Sequence, residues 1–125
     1  MKKLSVMIEQ DLGEGTVSRL PAARILEGDP VFTSWSSREG GISRGIWMST
    51  PGAQTMDRDA HTWEHFHVLE GLVEICDEAG ICRRLGPGDS ASIPPGFKGV
   101  WRTIETVRKS FVTIVSPQLP AVLEG

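Results

Sequence analysis

A pair of alternating runs hinged on one glycine restricts this chain more than any other feature. In Thr62 to Glu70, Glu64, Phe66 and Val68 alternate with His65 and His67; Gly71 interrupts, and Leu72-Val73-Glu74-Ile75-Cys76 resumes. A period of two belongs to a strand, because successive side chains leave opposite faces of a sheet. Asp77-Glu78-Ala79-Gly80 then reads as a turn and Ile81 to Leu85 as the returning strand, so the region predicts a hairpin.

The rest of the chain is cut into similar lengths. Val31 to Trp35 and Ile42 to Met48 read as strands separated by the polar, glycine-containing Ser36 to Gly41. Pro51-Gly52, Gly86-Pro87-Gly88-Asp89 and Pro94-Pro95-Gly96 mark reversals, since proline fixes φ and glycine supplies positive φ. Ala53 to Ala60 is polar and reads as a connecting strand or a loop at a rim. Ser90 to Ile93 is a short strand, and Val100 to Ile104 with Arg108 to Val115 is expected as a final hairpin joined through Glu105-Thr106-Val107. No stretch of about ten residues carries a helical period, and about eight to ten short strands at regular spacing argue an all-β barrel or jelly roll.

At 125 residues the chain suits one domain. We expect residues 1–30 as an N-terminal arm or edge strand, 31–116 as the barrel and 117–125 as a tail. Sixteen acidic and 13 basic residues are interspersed, with no basic run longer than a pair such as Arg83-Arg84, so nothing marks a nucleic-acid or anionic-membrane surface. Met1 to Ile8 imitates a signal peptide until Glu9 and Asp11 cut it short, which leaves a cytoplasmic location as the expectation. In that compartment Cys76 and Cys82 are expected as thiols, although their places across the hairpin permit a cross-strand disulfide.

Several motifs fit together. Glu64 and Gly71 match the end of the pattern G-x5-H-x-H-x(3,4)-E-x6-G, and Gly88, Pro94 and Gly96 match the start of G-x5-P-x-G-x2-H-x3-N. These are the two signatures of a cupin barrel, the double-stranded β-helix or jelly roll, a fold that often holds a metal. Gly45-Ile46-Trp47, Thr50-Pro51-Gly52, Val68 to Gly71, Pro94 to Trp101 and Glu105-Thr106-Val107-Arg108-Lys109 resemble more specifically the small cupins related to the cupin domain of ureidoglycine aminohydrolase, formerly a domain of unknown function. The resemblance spans about residues 31 to 115 and implies the fold; one fold hosts many chemistries.

The ligand positions depart from the pattern. The first-motif histidines would fall at Asp57 and Asp59, or at Arg58 and Ala60, and the second-motif histidine at Gly99. Of four expected ligands Glu64 alone stands in place. If Glu64 points into the barrel, parity sends Phe66 and Val68 inward with it and His65 and His67 outward. On the later strand Gly99, Trp101 and Thr103 point inward and Arg102 outward. Lys98, Arg102 and Lys109 are the possible cationic partners of Glu64, unranked by sequence.

These residues suggest a pocket lined by Trp47, Glu64, Phe66 and Trp101 that takes a small organic molecule, with no cofactor expected. An alternative is a lyase or hydrolase dependent on a divalent metal, Mn, Fe or Zn, acting on a small nitrogenous or carboxylated metabolite; it would use His61, Glu64 and Asp57 or Asp59 as oxygen-rich ligands with one imidazole. A third is a regulatory or interaction module with a vestigial pocket. His61-Thr62-Trp63-Glu64-His65 spells the H-x-x-E-H of inverted zinc peptidases, which requires a helix where this chain reads as strand. The absence of tyrosine removes a His/Tyr epimerase, and no phosphate-cradling glycine-rich loop occurs. A homodimer is expected, since small barrels with an arm and an exposed edge often pair.

Overall fold

One long strand organises the sheet. The computed structural model describes residues 3–116, so the expected tail at 117–125 lies outside the described residues. Nine strands follow in chain order: β1 Thr16–Ser18, β2 Ile25–Gly28, β3 Phe32–Glu39, β4 Ile42–Ser49, β5 Gly52–Asp57, β6 Thr62–Asp77, β7 Cys82–Leu85, β8 Ser90–Ile93 and β9 Lys98–Val115. Along one edge β9 pairs first with β5 and then with β4, and along the other it pairs with β6. Beyond these, β3 and β1 extend the sheet past β4, β2 past β5, and β7 and β8 past β6. The sheet curls into a half-barrel. Two short 3-10 turns, Glu9–Asp11 and Ala22–Arg24, are the only helical pieces among the described residues.

The expected final hairpin is instead the single 18-residue strand β9. Glu105-Thr106-Val107 contains neither glycine nor proline, and Val107 is wholly buried, so nothing there reverses the chain. The bend is made on the partner strand. Gly71 has φ +87°, the β6–β9 register shifts between Val68 and Val73, and a side chain at 71 would overlap the carbonyl of Thr106. Gly71 is thus a bulge residue that lets two long strands stay paired while they curve.

Residues 53–57, left open between strand and loop by the sequence, form most of β5. Within residues 1–30, β1 and β2 add to the two ends of the sheet path, while residues 5–13 cross the outer face. There Glu9 pairs with Arg108, Arg44 donates to Ser5 Oγ at 2.9 Å, and Trp35 Nε1 donates to the carbonyl of Gly13 at 2.9 Å. The core is Met56, Phe66, Val68, Val73, Ile93, Trp101 and Val107, all from inward-facing strand positions.

Cys76 and Cys82 are registered opposite each other on β6 and β7 and form a disulfide, not the free thiols expected. Direct cross-strand pairing brings the two Cβ atoms close enough for the bond. Nearby, Arg102 binds Glu27 at 2.8 Å and Glu74 at 2.9 Å, tying β2, β6 and β9 together on the outer surface.

Candidate functional site

Parity along β6 and β9 builds the interior. Glu64, Phe66 and Val68 are buried, and in register across β9 they face Thr113, Phe111 and Lys109. Trp47 of β4 faces Lys109 from the other side. His65 and His67 point away from the barrel, each with Nδ1 2.9 Å from a serine hydroxyl of β8, Ser92 and Ser90. Residues 62–67 are strand, so the H-x-x-E-H string has no helix to work on.

Lys109 and Glu64 enter the interior two register rows apart, on either side of the Phe66–Phe111 row. The lysine stem therefore runs along the barrel to reach the carboxylate, and its ammonium lies 2.6 Å from Glu64 Oε2. On the way it is enclosed by rings: Nζ is 4.5 Å from the Trp101 centroid and 4.7 Å from those of Trp47 and Phe66. Ring faces carry negative potential and attract a cation, most strongly where water is excluded. Arg58 closes the other side, with Nη1 2.8 Å from Glu64 Oε1.

Burial alone would raise the Glu64 pKa. The charges of Lys109 and Arg58 and their hydrogen bonds outweigh it and hold the carboxyl below its ordinary range. Burial likewise presses the Lys109 ammonium below its ordinary value, with Glu64 pushing back. The result is a charged, hydrogen-bonded cluster at the floor of a cavity.

That cavity has a volume of about 400 Å³. Trp47, Glu64 and Trp101, three of the four expected pocket residues, are in its wall. Phe66 is not: it is 1% exposed and packs one layer deeper, tilted against Trp101 at 5.5 Å. Sequence reasoning missed Arg24, Gln54 and Phe111, which also line the cavity. Arg24 is held over β5 by Thr55, donating from Nε to Oγ1 at 3.3 Å and from Nη2 to the carbonyl at 2.7 Å. Its place follows from β2 pairing with β5, which no local signal reveals.

The four expected metal ligands do not converge. Among the described residues, His61, Glu64, Asp57 and Asp59 supply no group of three donor atoms within 4.8 Å of one another. Asp59 Oδ1 accepts the backbone N–H groups of His61 and Thr62 at 2.8 Å each and so shapes the turn into β6, while His61 is exposed. A side chain at Gly99, the second-motif histidine position, would overlap the carbonyl of Cys76. Glu64 gives each of its oxygens to a cation. This donor set does not fit a divalent ion; protein-borne cations neutralise the carboxylate instead. Elsewhere Glu74 lies close to Cys76 and Cys82, but the sulfurs are joined in the disulfide and the carboxylate is held by Arg84 and Arg102.

Comparison with known proteins agrees with this architecture. No curated protein matches the sequence. Among solved structures, the Clostridium difficile EutQ protein superposes with a TM-score of 0.61 at 16% identity, covering 70% of this chain and 64% of that one. A Pseudomonas syringae pv. tomato protein of the DUF861 family gives 0.69 at 23%, over 82% of this chain and 45% of that one. Ectoine synthase from P. lautus gives 0.66 at 15%, over 92% and 80%. This chain thus spans less than two thirds of the length of the first two, and at these identities the likeness is one of fold. The EutQ-like cupin domain family matches residues 36–111, from β3 into β9, and the chain belongs to that family.

Proposed function

We propose that this cupin is a metal-independent binding protein for a small organic anion, received in the barrel cavity with its apolar part against Trp47 and its charge toward Arg24 and Arg58. The observation that carries this reading is the charge of the wall: Arg24, Arg58 and Lys109 stand against Glu64 and Asp57 in a cavity whose remaining lining is mostly aromatic and apolar, with Gln54, Thr55 and Thr113 as its neutral polar groups. Its volume lies in the roughly 300–1,000 Å³ range of small-molecule sites. Arg24 commits Nε and Nη2 to Thr55, and Arg58 commits Nη1 to Glu64, so both guanidinium groups keep further N–H donors.

A metal-dependent lyase or hydrolase would require Glu64 to release two cations, one of them inside an aromatic cage. The finer kinship with the ureidoglycine aminohydrolase cupin domain is proposed on Gly45-Ile46-Trp47 and Glu105 to Lys109, the motifs that supply Trp47 and Lys109 to the cavity.

Thermal-shift and calorimetric titration against a panel of small carboxylates, phosphates and neutral analogues tests the proposal. Saturable binding of anions, unaffected by EDTA and weakened in Arg58→Met, is expected. Binding that appears only after Mn, Fe or Zn is added, or no binding by any anion, overturns it.

A further inference from the structure

One polar side chain in the cavity wall is left without work by the cluster just described. Gln54, on β5, is registered between Ile25 of β2 and Trp101 of β9, is 6% exposed, and lines the cavity. Its Oε1 is buried and accepts no hydrogen bond, the one buried side-chain oxygen or nitrogen in that condition among the described residues. Trp101, its register partner on β9, already donates Nε1 to Thr103 Oγ1 at 2.9 Å. A buried amide oxygen with no donor is costly, so folding alone favours an apolar residue here.

We infer that Gln54 is a specificity-determining residue, whose amide turns on binding to bring Oε1 into the cavity, where it takes a hydrogen bond from an N–H or O–H group of the ligand while Arg24 and Arg58 hold the ligand's anionic group. This rests on the binding reading above and narrows it. The ligand class becomes a small acid that also carries a hydroxyl, amide or amine donor, rather than any anion of suitable size. Discrimination follows from the asymmetry of hydrogen bonding at a buried acceptor: a ligand whose donor is capped leaves Oε1 unmet and adds a clash, whereas a matched donor removes the penalty.

Matched probe pairs test it: 3-hydroxybenzoate against 3-methoxybenzoate, and succinamate against its N,N-dimethyl derivative, titrated into the full chain and into Gln54→Leu. The wild type should bind the donor-bearing member of a pair about tenfold more tightly. In Gln54→Leu that preference should vanish, and the Tm of the unliganded variant should equal or exceed that of the wild type, since an unmet polar group has been replaced by an apolar one. Gln54→Met, which keeps the length without the amide, serves if the leucine variant does not fold.

Equal affinity of wild type for both members of each pair overturns the inference and leaves the anion site standing; a preference that persists in the variants overturns it too. A Tm several degrees lower in both variants assigns Gln54 a structural role and also overturns it. If no probe binds the wild type at all, the binding reading falls with it.

Discussion

Removing Glu64 alone should damage the fold far more than removing both members of the Glu64–Lys109 pair. Lys109 is 5% exposed and Glu64 5%, so in Glu64→Leu the ammonium is left among three rings with no anion. Breaking a buried pair this way costs about 3–5 kcal/mol. Lys109→Met is milder, about 2 kcal/mol, because Glu64 retains Arg58, whose side chain is one-third exposed and already partly hydrated. The double variant Glu64→Leu/Lys109→Met should lose only about 2 kcal/mol: the lysine stem is replaced by a chain of similar length, and Arg58 can turn to water. The coupling energy is then at least about 3 kcal/mol, and Glu64→Leu alone lowers Tm by about 16 °C at about 4 °C per kcal/mol. Urea titration followed by tryptophan fluorescence measures it, with Trp47 and Trp101 beside the ammonium as reporters. Single losses that simply add in the double variant, within about 0.5 kcal/mol, would falsify the claim that the pair acts as a unit.

Four further outcomes are expected. Glu64 has a folded pKa below the ordinary carboxylate value of about 4.5, so its contribution is complete above that pH and is lost as the pH falls through the folded value; wild-type stability should decline more steeply below about pH 4.5 than that of Glu64→Gln, and parallel curves would refute this. Gly71→Ala should cost about 3 kcal/mol, against about 1 kcal/mol for Gly88→Ala, whose φ of +94° is similar but whose surroundings are open; equal denaturation midpoints would remove the bulge argument. Reducing Cys76–Cys82, which closes a loop of sequence separation 6, should cost about 2 kcal/mol, seen as a Tm drop with dithiothreitol that Cys76→Ser/Cys82→Ser does not share. Trp63, Ile114 and Ile42 form one exposed apolar row across β6, β9 and β4, which supports pairing of two copies there; sedimentation should report a dimer, and Trp63→Glu a monomer.

Much of the fold is legible because strand parity is a local property. Once Glu64 is taken as inward, the burial of Phe66, Val68, Trp101 and Thr103 and the outward turn of His65 and His67 follow by counting. Features that depend on which strands meet are not legible. Lys109 stands two rows from Glu64, and only the β6–β9 register with the length of a lysine stem selects it over Lys98 and Arg102. Arg24 and Gln54 reach the cavity through the β2–β5 pairing, between segments about thirty residues apart and without shared pattern. The continuity of β9 was hidden because the device that bends it, Gly71, lies on another strand. Phe66 has the right parity for the pocket and the wrong depth, a distinction that a period of two cannot express.

The central claim is that a charged, metal-free cluster forms the floor of an anion site. Nuclear magnetic resonance reads it most directly, by following the indole N–H of Trp47, the side-chain amide of Gln54 and the guanidinium of Arg58 while small carboxylates are titrated into EDTA-treated protein. Saturable shifts at all three groups at up to millimolar ligand, with outer-face signals such as His65 unmoved, are expected. No saturable shift at any of them, or shifts that arise only when a divalent metal is restored, would contradict the claim.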